Sequence, residues 1–359
     1  MSGASDNNIR VGVIGLGFMG ATHVAAYQAA AGAGHPCVLA AVCDRKASRR
    51  AGELWDVGGN ILADTSARKL AFDPQQVKGY ESPQQLLADE RIDLVSICTR
   101  TDTHVELAVE ALRHGKHVLV EKPVSLDARE IERLREATRS SGKLVMPAMC
   151  IRFWPEWAHL KQRIDDGEFG ACMSVSIQRL ASAPNWSSSF YRDGSKSGGA
   201  LVDLHIHDTD FVRYCFGNPD SVSSIGRMGE TGAIDHVTTA YHYRGAALPA
   251  HVVAEGGWDH HPAFAFRMRY VAVFEKATLD YDLTRESPLL LCRDGKTEPV
   301  RVESISGYDG QVRHLLSAIN GQAELAATLD DAISVTRILD AERASAQTRQ
   351  PVAVAGKVQ

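Results

Sequence analysis

Residues 15–20 read Gly-Leu-Gly-Phe-Met-Gly, a G-x-G-x-x-G spacing. Glycines in this pattern act by lacking a side chain. Gly15 permits a tight turn, Gly17 lets a pyrophosphate reach the backbone, and Gly20 lets a helix lie close to a strand. Phe18 and Met19 open that helix, whose free N–H groups and partial positive charge suit phosphates. Asp44 ends the next apolar run and is placed to bind an adenosine ribose diol, whereas Arg45 beside it could receive a 2′-phosphate. The charge balance favours NAD, with NADP as the alternative. Exchange of a hydride between a nicotinamide and a secondary alcohol also needs a group that takes the hydroxyl proton. Lys122, at the end of an apolar strand-like run, supplies a cationic amine that could also steady an oxyanion. His207 is a natural acid/base, with an ordinary pKa of ~6.5. Asp203 precedes it by four residues and shares its face if the segment is helical.

Other residues could touch a substrate. Trp154, Trp157 and Trp186 are three of the five tryptophans. Flat rings can stack on the C–H faces of a sugar. Arg152, Asn185, Tyr191 and Arg192 could add hydrogen bonds. Core or dimer packing is the plainer reading for any one of them. His205, His207 and Asp208, and likewise Asp259, His260 and His261, are ordinary metal-ligand types. His207 is already accounted for without a metal, so no metal is assigned.

These residues need a frame. Apolar strand candidates fall at residues 9–14, 38–43, 92–98, 117–120 and 143–148, separated by helical stretches such as 19–31 and 103–114. That βαβ rhythm predicts a parallel sheet covered on both faces. Residues 58–78 interrupt it as a surface insertion. After about residue 220, strand candidates follow one another directly at 235–244, 249–258, 264–275 and 277–283, which favours an antiparallel sheet. Residues 311–347 return to helical spacing. The expected division is 1–148 and 149–359. The expected class is α/β, a Rossmann dinucleotide-binding domain followed by an α+β domain with a large, open, mainly antiparallel sheet. Strands at 236–243 and 251–255 are expected to put apolar or aromatic groups on its open side.

The helical spacing of residues 200–214 predicts one continuous helix. Asp203 and His207 then lie about 40° apart around its axis, with His205 about 200° from both. His207 is therefore the expected proton carrier, and His205 a structural group or a contributor to substrate fit.

The whole composition excludes several classes. The 359 residues carry 39 Lys+Arg against 44 Asp+Glu, a net charge of -5, without the basic excess of a nucleic-acid binder. No apolar run approaches the ~20 residues of a membrane span. The polar start, MSGASDNN, lacks a hydrophobic signal segment. Seven cysteines are scattered without a C-x-x-C pair, which suits reduced thiols in the cytoplasm.

The Gly loop with His23, the run Glu121-Lys122-Pro123, and the stretch Gly198-Gly199-Ala200-Leu201-Val202-Asp203-Leu204-His205-Ile206-His207-Asp208-Thr209-Asp210 together resemble the Gfo/Idh/MocA family. The resemblance covers nearly the whole chain. It implies an NAD(P)-dependent oxidoreductase of sugars, cyclitols or related polyols, catalytic roles for Lys122, Asp203 and His207, and a homodimer or homotetramer. It also implies Thr99, His104, Glu121 and Lys122 on the cofactor side, with Glu121 orienting Lys122 and a possible cis bond before Pro123. Two departures bear on substrate: Thr99-Arg100-Thr101 stands where Thr-Pro-Asn is usual, and His205 where Gly is usual. Two other activities remain open. One is glycoside cleavage with NAD recycled in each turnover, and the other is nucleotide sensing without turnover.

Overall fold

The computed structural model describes residues 8–54, 57, 71–184, 188–245 and 249–355. Trp186, Asn185 and residues 58–70 of the expected insertion lie outside them. The chain divides into two compact units. The first holds residues 1–150 and 306–332, and the second 151–305 and 333–359.

In the first unit, β1 (Ile9–Ile14), β2 (Cys37–Cys43), β3 (Lys78–Tyr80), β4 (Leu94–Ile97), β5 (His117–Val120) and β6 (Val145–Pro147) form one sheet in the order β3-β2-β1-β4-β5-β6. All of its pairings are parallel. Val11, Val13, Leu94, Val95, Val118 and Leu119 are fully buried, as a sheet covered on both faces requires. The order reverses beside β1, so the carboxyl ends of β1 and β4 flank a crevice of the kind that takes ligands in such sheets.

The boundary differs from the expected 1–148 and 149–359. Residues 306–332 rejoin the first unit because the helix Gly307–Ile319 packs on the helix Phe18–Gly32. Val312, Leu315 and Leu316 on it are fully buried. The helical spacing of residues 311–347 belongs to two helices, Gly307–Ile319 and Leu329–Thr348.

The second unit holds β7 (Cys172–Ser182), β8 (Ser221–Met228), β9 (Ile234–His242), β10 (His251–His260), β11 (Arg267–Phe274), β12 (Thr278–Asp282), β13 (Leu289–Arg293), β14 (Lys296–Pro299) and β15 (Val352–Ala353). Their order is β14-β13-β12-β11-β7-β10-β9-β8-β15. The β7–β10 pair is parallel. The other pairings are antiparallel, so the sheet is mainly antiparallel, as expected.

One face is covered by helices. Trp157 is its centre, with ring centroids 4.8 Å from Phe211, 5.1 Å from Tyr270 and 6.0 Å from Tyr281, all edge-on. The open face is mixed rather than apolar as expected. Alternation sends Val237, Tyr241, Val252 and Ala254 to the covered side. His236, Thr238, Ala240, His242, His251 and Glu255 are left on the open side, partly or fully exposed. Val253, half-buried, and Ile225 and Val271, 81% and 39% exposed, are apolar groups there.

Replacing Trp157 with Ala removes the ring that joins three others. Phe or Trp to Ala in a core costs about 3–5 kcal/mol. The urea or guanidinium midpoint is expected to fall accordingly, without loss of secondary structure in buffer.

Candidate functional site

β1 runs into Gly15 at φ +88. A Cβ there would lie 2.7 Å from the carbonyl oxygen of Cys98. A Cβ on Gly20 would lie 1.8 Å from the carbonyl oxygen of Gly15, so no side chain fits. Around Gly17 a Cβ would meet nothing within 4 Å among the described residues. Gly17 precedes the helix Phe18–Gly32, which has neither a side-chain cap nor an acidic group in its first turn. Phe18 and Met19 therefore present main-chain N–H groups at an open end. These are the features a dinucleotide phosphate needs, and the residues fit it.

Asp44 is tied to this loop. Its Oδ2 accepts from the Leu16 N–H at 2.9 Å and its Oδ1 from the Lys46 N–H at 2.8 Å. Arg45 is exposed. Arg49, missed in the sequence reading, lies 3.8 Å from Asp44 Oδ2. A helix turn that places Arg49 five residues after Asp44 is the signal that could have found it.

Glu121 follows β5 and is buried. His23 Nε2 lies 2.9 Å from its Oε1, and the Lys122 main-chain N–H donates to its Oε2 at 3.1 Å. Glu121 thus meets Lys122 through the backbone N–H. Gln311 Nε2 is 3.4 Å from His23 Nε2. The Lys122–Pro123 bond is cis.

His104 is also buried, and burial lowers its pKa. Its Nδ1 faces the Pro123 carbonyl at 2.9 Å and its Nε2 the Thr99 carbonyl at 3.1 Å. It ties the loop after β4 to the cis-Pro turn. Thr99 Oγ1 bonds Thr103 Oγ1 at 2.7 Å. Lys122 itself is half-buried.

In the second unit the expected continuous helix is broken. One helix ends at Asp203 and the next begins at Ile206. His205 N–H bonds back five residues to Ala200 O at 2.8 Å, and Asp208 N–H to His205 O at 2.9 Å. Asp203 and His207 therefore sit on two short helices, so the angles of a single axis do not apply. Both are half-buried.

His205 lies at the break and is fully buried. Its Nε2 is 3.3 Å from Glu342 Oε2 and 3.3 Å from the Tyr241 hydroxyl, and its Nδ1 is 3.7 Å from Asp208 Oδ2. Gly256 makes the space: a Cβ there would lie 2.7 Å from His205 Nδ1. Burial works against the imidazolium, but the carboxylates of Glu342 and Asp208 outweigh it and push its pKa up to about 9.

Two further buried ion pairs hold the helix Ile206–Phe216. Arg152 forks onto Asp210 at 2.8 and 2.5 Å, and Arg179 reaches Asp208 Oδ1 at 3.0 Å. Arg152, expected at the substrate, is thus engaged with Asp210, with its guanidinium over Tyr214 at 4.6 Å. Trp154 is 8% exposed. Tyr191 is half-buried and packs edge-on to Trp258, 6.0 Å between centroids, beside the cluster that holds Ala200 and Leu204.

A family model described as the oxidoreductase family with an NAD-binding Rossmann fold matches residues 9–149. The model of the GFO/IDH/MocA C-terminal domain matches residues 157–280. The chain belongs to the Gfo/Idh/MocA oxidoreductase family. Myo-inositol 2-dehydrogenase of Thermotoga maritima is 28% identical over 247 residues, 67% of this chain and 66% of that enzyme. The NAD(+)-dependent scyllo-inositol 2-dehydrogenase of Bacillus subtilis is 34% identical over 185 residues, 49% of this chain and 52% of that enzyme. The matched stretches thus span from about half to just under two thirds of these relatives. A levoglucosan dehydrogenase solved with NADH and levoglucosan shares the fold, with a TM-score of 0.80, 21% identity, and coverage of 97% of this chain and 100% of that one. The first unit of this Gfo/Idh/MocA protein is accordingly an NAD-binding domain.

The His205 pKa lies above its ordinary value of about 6.5, so its stabilising contribution is complete below that pH and is lost as pH rises through about 9. The melting temperature is expected to fall across that window. Glu342→Gln should flatten the dependence. A Glu342→Gln variant with the wild-type slope would assign the effect elsewhere.

Proposed function

We propose that the chain is an NAD-dependent dehydrogenase that interconverts a secondary alcohol and a ketone on a sugar, a cyclitol or a related polyol. The observation that carries this reading is the uncapped helix end at Gly17, approached by Cβ-free Gly15 and Gly20 and tied to Asp44. The same carboxyl edge of the parallel sheet bears Thr99 after β4 and Lys122 after β5. The names of the relatives, two inositol dehydrogenases and a levoglucosan dehydrogenase, support the substrate class.

Bound NAD would supply the two-electron acceptor. Gly15, Gly17, Phe18, Met19 and Gly20 would hold its pyrophosphate, and Asp44 its ribose. Lys122 takes the substrate hydroxyl proton and steadies the oxyanion by its charge. His207 is the second acid/base, and Asp203 binds a substrate hydroxyl or orients His207. The buried pairs beneath the helix Ile206–Phe216 keep its first turn, with His207, in a fixed position. Arg152 and His205 act as supports of that helix, through Asp210 and Asp208.

Among the described residues no helix is long and apolar enough to cross a membrane, and all seven cysteines are free. Both features support a cytoplasmic enzyme. The family resemblance, with Ile225 and Val271 exposed on the open face of the nine-stranded sheet, supports assembly into a homodimer or homotetramer.

A panel of polyols and sugars with NAD, followed at the nicotinamide absorbance, tests the activity. Net NADH should accumulate with at least one cyclitol or sugar. A product without net NADH would point to internal recycling, and cofactor binding without turnover to a sensor. His207→Ala should lower kcat about 10²–10⁴-fold, the scale of a positioned acid/base. Asp44 repels a 2′-phosphate, so kcat/KM should be higher with NAD than with NADP, and Asp44→Ala should narrow or reverse the ratio. Wild-type preference for NADP would overturn that assignment and would point to Arg45 and Arg49.

A further inference from the structure

On the open face of the nine-stranded sheet, three ligand-type side chains converge near the start of β9 and the end of β10. His236 on β9 and Asp259 and His260 on β10 each offer one atom, and these atoms all lie within 4.8 Å of one another. Successive strand residues normally point to opposite faces. A bulge between Asp259 and His260, both of which face Ser182 in register, breaks that alternation. It turns both side chains to the same side. Opposite His236 in the ladder stands Gly257. A Cβ there would lie 2.6 Å from His236 Nδ1, so the glycine is what lets the imidazole lie over β10.

We propose that His236 Nδ1, Asp259 Oδ1 and His260 Nδ1 bind a zinc-class divalent cation, with water in the fourth position. Two imidazoles and a carboxylate form a set that suits such ions. His236 Nδ1 is 2.8 Å and His260 Nδ1 3.5 Å from Asp259 Oδ1. Tetrahedral ligands around zinc sit about 3.4 Å apart, by the usual bond lengths, so shifts of about 1.5 Å or less close the site from within the 4.8 Å that spans the three atoms. The buried His260 Nδ1 has no hydrogen-bond partner among the described residues. The ion would replace the proton that His236 shares with Asp259.

The supporting shell is already formed. His236 Nε2 faces Glu255 Oε1 at 3.0 Å, and Glu255 Oε2 accepts from Gln178 at 2.5 Å. A carboxylate behind a ligating imidazole is the usual outer partner of a metal site. Arg227 donates twice to Asp259 Oδ2, at 2.9 and 2.6 Å, which leaves Oδ1 turned toward the two imidazoles. The His260 ring is held by stacking on Phe264, 4.3 Å between centroids. The ion would staple β9 to the bulged end of β10.

The test uses the full-length, untagged protein, stripped with chelator and titrated with zinc and with cobalt. One ion should bind per chain at micromolar concentration, and cobalt should give the intense visible absorption of a four-coordinate centre. His260→Ala and Asp259→Asn should abolish that band. Glu255→Gln, which leaves all three ligands in place, should weaken affinity about 10–100-fold. Absence of saturable uptake by the wild type overturns the proposal. So does six-coordinate cobalt, or uptake unchanged in the His260 and Asp259 variants. The readout is metal binding, so it stands or falls independently of dehydrogenase activity.

Discussion

The contact on which the first unit depends is a helix laid against a strand where no side chain fits between them. The 1.8 Å that would separate a Gly20 Cβ from the Gly15 carbonyl oxygen makes glycine obligatory there. That closeness points the uncapped end of the helix Phe18–Gly32 at the crevice beside β1. Asp44 then locks the turn by accepting the Leu16 N–H. The same helix carries His23, which meets Glu121 and so reaches the turn at Lys122. Glycine loop, acidic residue and lysine turn are thus parts of one rigid arrangement. Its outer wall, the helix Gly307–Ile319, is supplied by residues far along the chain.

In the second unit the organising constraint is electrostatic. Arg152–Asp210, Arg179–Asp208 and His205–Glu342 are buried with their partners. Losing one member would leave an uncompensated buried charge, a costly state in low dielectric. These pairs hold the helix Ile206–Phe216 from three sides, through the segment at Arg152, strand β7 and the helix Leu329–Thr348. The position of His207 at its start follows from that scaffold.

Much of the fold was legible because its signals are local. The glycine spacing, the βαβ rhythm, and the succession of strands after residue 220 each rest on short-range pattern. What was missed needed tertiary contact. Strand β7 escaped notice because a covered-face position, in line with Val175 and Ile177, is Arg179, apolar in no scale but neutralised by Asp208. The break at Leu204 and His205 is hidden because Leu204 continues the helical period, while His205 leaves it to meet Glu342. Residues 306–332 carry no mark of the unit they join. Gly256 and Gly257 were a usable signal. Paired glycines inside a strand mark a close approach, here by His205 on one face and His236 on the other.

We infer that the first unit holds a dinucleotide by the Cβ-free approach of its first helix. Calorimetric titration of the purified chain with NADH, alongside Gly20→Ala, tests it most directly. Saturable binding of one NADH per wild-type chain is expected, and loss of that binding in the variant while the circular dichroism of the strands persists. Gly20→Ala binding NADH as tightly as the wild type, or a wild type that binds none, would contradict it.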